Sequence, residues 1–234
     1  MSGVPWLRRE VIGGQTLYLG DCHEIMPQLR FDAIVSDPPY GIGYVQGEGH
    51  NANKSKFIGQ AILGDDQPFD PAPFMAGPCL LWGCNHFASR LPDTGRWLVW
   101  DKRDGMGTFS QSDCEFAWVS GPKRADRLFR HMWTGFAKAS EKGVARVHPT
   151  QKPVPVMEWC LTFLPDAKTI LDPFIGSGTT LVACQRMGRR GIGIELDPSH
   201  FATACRRVED AARQPDLLIA AHPQPPSDEM PSLL

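Results

Sequence analysis

Short apolar runs and amphipathic stretches alternate along this chain, and the alternation predicts its elements. Apolar runs at LYLGD (17–21), DAIVSD (32–37), PCLLWGC (78–84), RWLVWD (96–101), CEFAWVS (114–120), TILD (169–172) and GIGIELD (191–197) read as strands. Helical spacing of apolar residues predicts helices near 22–30, 153–164, 178–187 and 198–213. Strand–helix–strand order of this kind implies an α/β fold with a doubly wound, mainly parallel sheet. Residues 43–60 (GYVQGEGHNANKSKFIGQ) have no apolar period and read as a long mobile loop. The prolines from about residue 214 onward mark a loosely ordered tail, 214–234. Residues 1–213 are therefore expected to form one domain, with an inserted segment at about 121–147.

Composition narrows the class. Hydrophobic residues make up 42% and charged residues 21% of 234, as in ordinary globular chains. No apolar run approaches the roughly 18 residues a membrane span needs, and the first residues lack the apolar core of a secretion signal. A cytoplasmic protein with no membrane partner is expected. The seven cysteines are scattered, with no Cys-x-x-Cys pair, and the histidines form no ligand-spaced cluster, so no metal is expected. The formal net charge is only -2. It is unevenly spread: residues 121–152 hold Lys123, Arg124, Arg127, Arg130, Lys138, Lys142, Arg146 and Lys152 against Asp126 and Glu141, a local surplus of six positive charges. Phe129, Trp133 and Phe136 are interleaved among them, which suits phosphate contact and base stacking. A solvated charged face is the plainer alternative.

Two motifs carry candidate chemistry. Asp37-Pro38-Pro39-Tyr40 follows a strand, at the edge where open parallel sheets bind ligands. Taken alone it reads more readily as a structural turn. An exocyclic amino group is a poor nucleophile because its lone pair is delocalised into the ring, and acceptors on its protons favour the reactive form. Asp37 and the Pro38 carbonyl can serve as those acceptors, the prolines fix φ and remove donors, and Tyr40 offers a stacking face. The second motif, Leu171-Asp172-Pro173-Phe174-Ile175-Gly176-Ser177-Gly178-Thr179-Thr180, is a strand, a glycine turn and a helix start. It lacks the Gly-Lys-Ser/Thr ending of a phosphate loop, and Leu181 occupies the position of a third dinucleotide glycine. Glu195, 17 residues after Gly178 at the end of the next strand, is placed to accept from ribose hydroxyls. Together they suit a nucleoside-containing cofactor without a pyrophosphate.

With these residues in place, the chain resembles the circularly permuted β class of DNA amino-methyltransferases. The resemblance runs from about residue 16 to 213. The order matches: the Asp-Pro-Pro-Tyr motif first, a target-recognition region next, and Phe-x-Gly-x-Gly last, preceded by His148-Pro149-Thr150-Gln151-Lys152-Pro153. The resemblance implies the seven-stranded type of sheet of S-adenosylmethionine (SAM)-dependent methyltransferases. It also implies that Asp172, Phe174, Gly176, Ser177, Gly178 and Thr179 line the methionine part of SAM, with Thr150 and Lys152 near its carboxylate and His148 in the same segment. Glu195 would take the ribose hydroxyls, and Asp21-Cys22 would lie at the cofactor's adenine ring. For Asp21, helix N-capping is an equal reading, and one residue can do both. Lys123, Arg124, Arg127, Arg130 and Lys138 would contact double-stranded DNA.

The expected activity is transfer of the SAM methyl group to the N6 amino group of adenine in DNA, by base flipping and direct displacement. Asp-Pro-Pro-Tyr leans towards adenine in that class, and Ser-Pro-Pro-Tyr towards cytosine. The alternatives are an N4-cytosine methyltransferase, a non-catalytic relative that binds SAM or DNA, and, more distantly, a dinucleotide oxidoreductase. A homodimer is the assembly expected from resemblance. A restriction partner and the recognition sequence are not readable.

Overall fold

The computed structural model describes residues 3–43, 62–106, 112–134, 137–143, 147 and 150–213. The loop expected at 43–60 therefore lies outside the described residues apart from Gly43, as do the tail at 214–234, His148, Phe136 and Arg146. The described strands are β1 (Arg8–Ile12), β2 (Gln15–Leu19), β3 (Ala33–Ser36), β4 (Cys79–Trp82), β5 (Arg96–Asp101), β6 (Cys114–Val119), β7 (Arg127–Arg130), β8 (Thr169–Asp172) and β9 (Arg190–Glu195). The helices are α1 (Cys22–Ile25), α2 (Val154–Leu161), α3 (Thr179–Arg186) and α4 (Pro198–Arg213).

All nine strands form one sheet in the order β1-β2-β9-β8-β3-β4-β6-β5-β7. From β2 through β4 the pairing is parallel. Strand β1 is antiparallel at one edge, β6 runs antiparallel between β4 and β5, and β7 pairs parallel with β5. Central strands read as continuous apolar runs because both faces are covered. Ala33 and Val35 face the core that includes residues of α2, α3 and α4, while Ile34 faces a second core holding Ile25 of α1 and the rings of Phe69, Phe74 and Phe87. Fully buried side chains such as Leu17, Leu80 and Leu98 each stabilise the fold by about 1.5–3 kcal/mol. Helix α4 buries Phe201, Ala204 and Val208 along one stripe, and the Asp197 carboxylate accepts from the amides of Ser199 (2.7 Å) and His200 (2.9 Å) at its start.

Three elements depart from the sequence expectation. The helix expected over 22–30 stops at Ile25 and continues as a 3₁₀ turn, Met26–Gln28, because Pro27 has no N–H to close a further α turn. Strand β1 carries Arg8, Arg9 and Glu10 and pairs as a hairpin with β2, Ile12 opposite Gln15. Residues 127–130, inside the segment expected as an insertion, are strand β7.

The winding reverses between β3 and β8. From β3 the sheet continues to β4, whereas from β8 it continues the other way to β9. A crevice therefore opens at the carboxyl ends of β3 and β8, and these ends carry the two candidate motifs.

Candidate active site

Asp37 follows directly on β3 and Asp172 ends β8, so the strand pairing that sets Ile34 beside Leu171 brings both motifs to one place. The Ser36 hydroxyl donates to Asp172 Oδ1 at 2.6 Å, and the Thr180 hydroxyl donates to Asp172 Oδ2 at 2.5 Å. The Phe174 amide adds a bond of 3.1 Å to Oδ1. Burial raises the Asp172 carboxyl to about 6, against the pull of the Ser36 and Thr180 hydroxyls. Asp172 thus acts as a clamp between the β3 turn and the glycine loop, with its oxygens already occupied by protein donors.

The glycine loop is shaped by its own chain. Gly178 has φ +80°, a left-handed conformation, and a side-chain carbon there would lie 3.0 Å from Ala204 of α4. Arg207 of α4 reaches beneath the loop and donates to the Ser177 carbonyl (2.7 Å), the Ser177 hydroxyl (2.9 Å) and the Thr179 hydroxyl (2.9 Å). Glu195, at the end of β9, accepts from the Gly176 amide and the Asp197 amide, each at 2.8 Å. Burial pushes its carboxyl up to about 7, against those backbone donors. The Gly20 amide donates to the Glu195 carbonyl at 2.9 Å, which brings Asp21 and Cys22 to the same end of the sheet. Asp21 caps α1 through the His23 amide (2.8 Å). A recess lined by Asp37, Thr150, Lys152, Asp172, Phe174, Gly176, Ser177 and Thr179 joins the two motifs.

The Asp37 carboxylate is held from both sides. Tyr40 Oη donates to Oδ1 at 2.5 Å, and Lys152 Nζ lies 2.6 Å from Oδ2. The Tyr40 ring stacks with His86, centroids 5.0 Å apart and planes 14° apart. It rests on Gly83 at the end of β4, where a side-chain carbon would come within 1.9 Å of the ring. Lys152 also lies 3.1 Å from Glu115, whose other oxygen meets Lys102 at 3.0 Å. Burial favours a neutral Lys152, but Asp37 and Glu115 outweigh it and hold the ammonium above its ordinary range. Burial raises Glu115, yet Lys152 and Lys102 outweigh it and bring the carboxyl down to about 2.

Glu115 and Lys102 escaped the sequence reading. Because β6 runs antiparallel, its first residues, not its last, lie at the ligand-binding edge, and Lys102 leaves β5 at that same edge. The one available signal was a lone carboxylate at the second position of the apolar run CEFAWV.

The expected DNA-contacting residues lie towards the β7 edge. Arg127 and Arg130 bracket β7, and Arg130 pairs with Asp101 at 3.4 Å. Lys138 lies 4.5 Å above the Trp133 ring, and Lys123 approaches Asp93 at 3.5 Å. The Arg124 amide donates to the Gly95 carbonyl at 3.3 Å. Since β7 is parallel to β5, Arg130 sits at the same end of the sheet as Lys102. All seven cysteines are free thiols, and burial raises Cys22 and Cys84 to about 12, leaving them protonated. Among the described residues Asp21, Cys22 and His23 put three potential ligand atoms within 4.8 Å. A capping carboxylate and a protonated thiol make a poor cation site.

This fold, with its switch-point crevice and glycine loop, is that of SAM-dependent DNA methyltransferases. Residues 96–206 match the family model N6_N4_Mtase, described as DNA methylase. The chain is 41% identical over 84 residues to the type II methyltransferase M2.DpnII of Streptococcus pneumoniae, a match covering 36% of this chain and 31% of that protein. The chain thus spans about a third of the length of that curated relative. The M1.HpyAVI–SAM complex superposes with a TM-score of 0.52 at 23% identity, over 83% of this chain and 98% of that one. PvuII DNA methyltransferase, described as cytosine-N4-specific, superposes with a TM-score of 0.57 at 13% identity, over 88% and 95% of the two chains. At these identities the two structures establish the shared fold.

Proposed function

We propose that this chain transfers the methyl group of SAM to the N6 amino group of adenine in double-stranded DNA. The observation that carries the reading is the meeting of Asp37 with the glycine loop at the switch point, locked by the Ser36–Asp172 hydrogen bond of 2.6 Å. The residues present fit the cofactor. A largely buried carboxylate at Glu195 suits ribose hydroxyls, and the recess beside the glycine loop, lined by Gly176, Ser177 and Thr179, reaches Asp37. When bound, SAM supplies a methyl group already activated by a sulfonium charge.

The protein's part is to position and polarise the target amine. Asp37 and the Pro38 carbonyl accept its two N–H groups, which favours the pyramidal nitrogen, and Asp37 is the nearest oxygen to receive the proton that leaves after transfer. Tyr40 provides a stacking face for the extruded base, a contribution of roughly 1–3 kcal/mol that helps offset the cost of flipping. No thiol nucleophile is needed, in keeping with the protonated, buried cysteines. The basic residues on and around β7 hold the duplex by its phosphates, and a homodimer would extend that surface. Adenine is favoured by the Asp-Pro-Pro-Tyr motif. The test is transfer of labelled methyl from SAM to mixed-sequence duplex DNA, with Asp37→Ala as the matched control. Transfer by both proteins, or by neither, would contradict the reading.

A further inference from the structure

Lys152 is 5% exposed and its ammonium group has three protons to place. Asp37 Oδ2 takes one at 2.6 Å and Glu115 Oε2 another at 3.1 Å. The third faces Tyr40 Oη at 3.5 Å and the Trp82 ring, 5.0 Å from its centroid. All three protons therefore face protein groups. The side chain is also fixed from behind, since Gln151 accepts from the Val147 amide at 3.0 Å and Pro153 opens α2. Asp37, Lys152, Glu115 and Lys102 thus form a chain of alternating charge from the candidate catalytic carboxylate to the edge of the sheet.

We propose that Lys152 is a positioning residue of the methyl-transfer site, which holds Asp37 ionised and aimed at the target amine while Glu115 behind it fixes the Lys152 side chain. The inference rests on the methyl-transfer reading above. A carboxylate this enclosed loses hydration and would otherwise favour its neutral form, which accepts poorly. Of the other charged or titratable groups facing it, Glu115 from β6 and Asp172 from β8 oppose its negative charge, whereas the Tyr40 hydroxyl on its own turn donates to it and lowers that cost. Burial leaves Asp37 raised, and Lys152 is the cation that opposes that rise. Glu115 has two opposed effects: it holds Lys152 in place, and its own charge raises Asp37.

The test is the pH dependence of single-turnover methyl transfer for the wild type, Lys152→Met, Lys152→Arg and Glu115→Gln, with SAM affinity measured alongside. With SAM saturating at every pH, the acid limb of the wild-type profile reports Asp37 ionisation. In Lys152→Met it moves up by roughly 1–3 pH units, as expected for loss of an opposite charge in contact. Lys152→Arg returns it most of the way. Glu115→Gln moves it down, a sign that damage to the fold alone would not produce. SAM affinity stays within threefold throughout. An unmoved limb in Lys152→Met or Glu115→Gln overturns the proposal. So does a more than tenfold loss of SAM affinity in Lys152→Met with the limb in place, which would make Lys152 a cofactor ligand. Carbon-detected NMR titration of the Asp37 carboxyl in the wild type and Glu115→Gln needs no activity. It separates failure of this inference from failure of the methyl-transfer reading: a wild-type protein that methylates nothing while Asp37 titrates lower in Glu115→Gln loses the activity and keeps the relay.

Discussion

On the proposed reading, Glu195 ties cofactor affinity to pH. Both of its oxygens already accept a backbone amide at 2.8 Å, and burial still raises the carboxyl to about 7 from an ordinary value of 4.5. Ribose hydroxyls are donors, so SAM binds the ionised form. A group with a raised value is mostly protonated below it, so affinity is gained as pH rises through 7 and lost as it falls. At pH 6 about one molecule in ten has Glu195 ionised and at pH 8 about nine in ten, so the dissociation constant is about tenfold larger at pH 6, or about 1.4 kcal/mol. Glu195→Gln removes the charge and sets an amide N–H₂ against the backbone donors. SAM affinity should fall by about 1.5–3 kcal/mol at pH 8 and lose its slope between pH 6 and 8. Isothermal titration calorimetry at pH 6, 7 and 8 reads both quantities, and titration of the ligand itself is common to the two proteins. A flat wild-type profile, or a slope that survives in Glu195→Gln, would refute the assignment.

Asp37→Ala should leave SAM affinity within a few fold and abolish measurable methyl transfer in a filter-binding assay, because the role proposed for Asp37 is on the amine. Gly83→Ala should strain a residue at φ +68° by about 1–2 kcal/mol and drive a methyl group into the Tyr40 ring. The thermal midpoint should drop, and the transfer rate should fall more than SAM affinity does. Replacing Arg124, Arg127 and Arg130 together by Ala should weaken duplex binding and lower the slope of log affinity against log salt by about 0.9 for each lost phosphate contact, read by fluorescence anisotropy. An unchanged slope would assign these residues to a solvated face.

The sequence disclosed the elements whose apolar residues form an uninterrupted run or keep one period along their length. Strands β5 and β8 fall on the expected runs RWLVWD and TILD, and α4 spans 198–213 as its apolar stripe required. Strands β1 and β7 were hidden because Arg8, Arg9 and Glu10 crowd one and Arg127 and Arg130 bracket the other, on edge strands where charge is tolerated on the open side. Those flanking arginines made 127–130 read as part of an inserted basic segment. Motif spacing located Asp37, Asp172 and Glu195, since each follows or ends a parallel strand at the ligand-binding edge. Glu115 depended on strand direction, which residue pattern does not encode. Lys152 was visible as part of a motif, but its place between two carboxylates follows only from the packing of β6 against β4.

The central claim is that an exocyclic base amine is the acceptor of the methyl group. Duplex DNA of mixed sequence, incubated with the purified chain and SAM and then digested to nucleosides for mass spectrometry, tests it directly. The account predicts N6-methyladenine, with none formed by Asp37→Ala. N4-methylcytosine would keep the mechanism and overturn the choice of base, while C5-methylcytosine, or no methylated nucleoside from a protein that binds SAM, would contradict the claim itself.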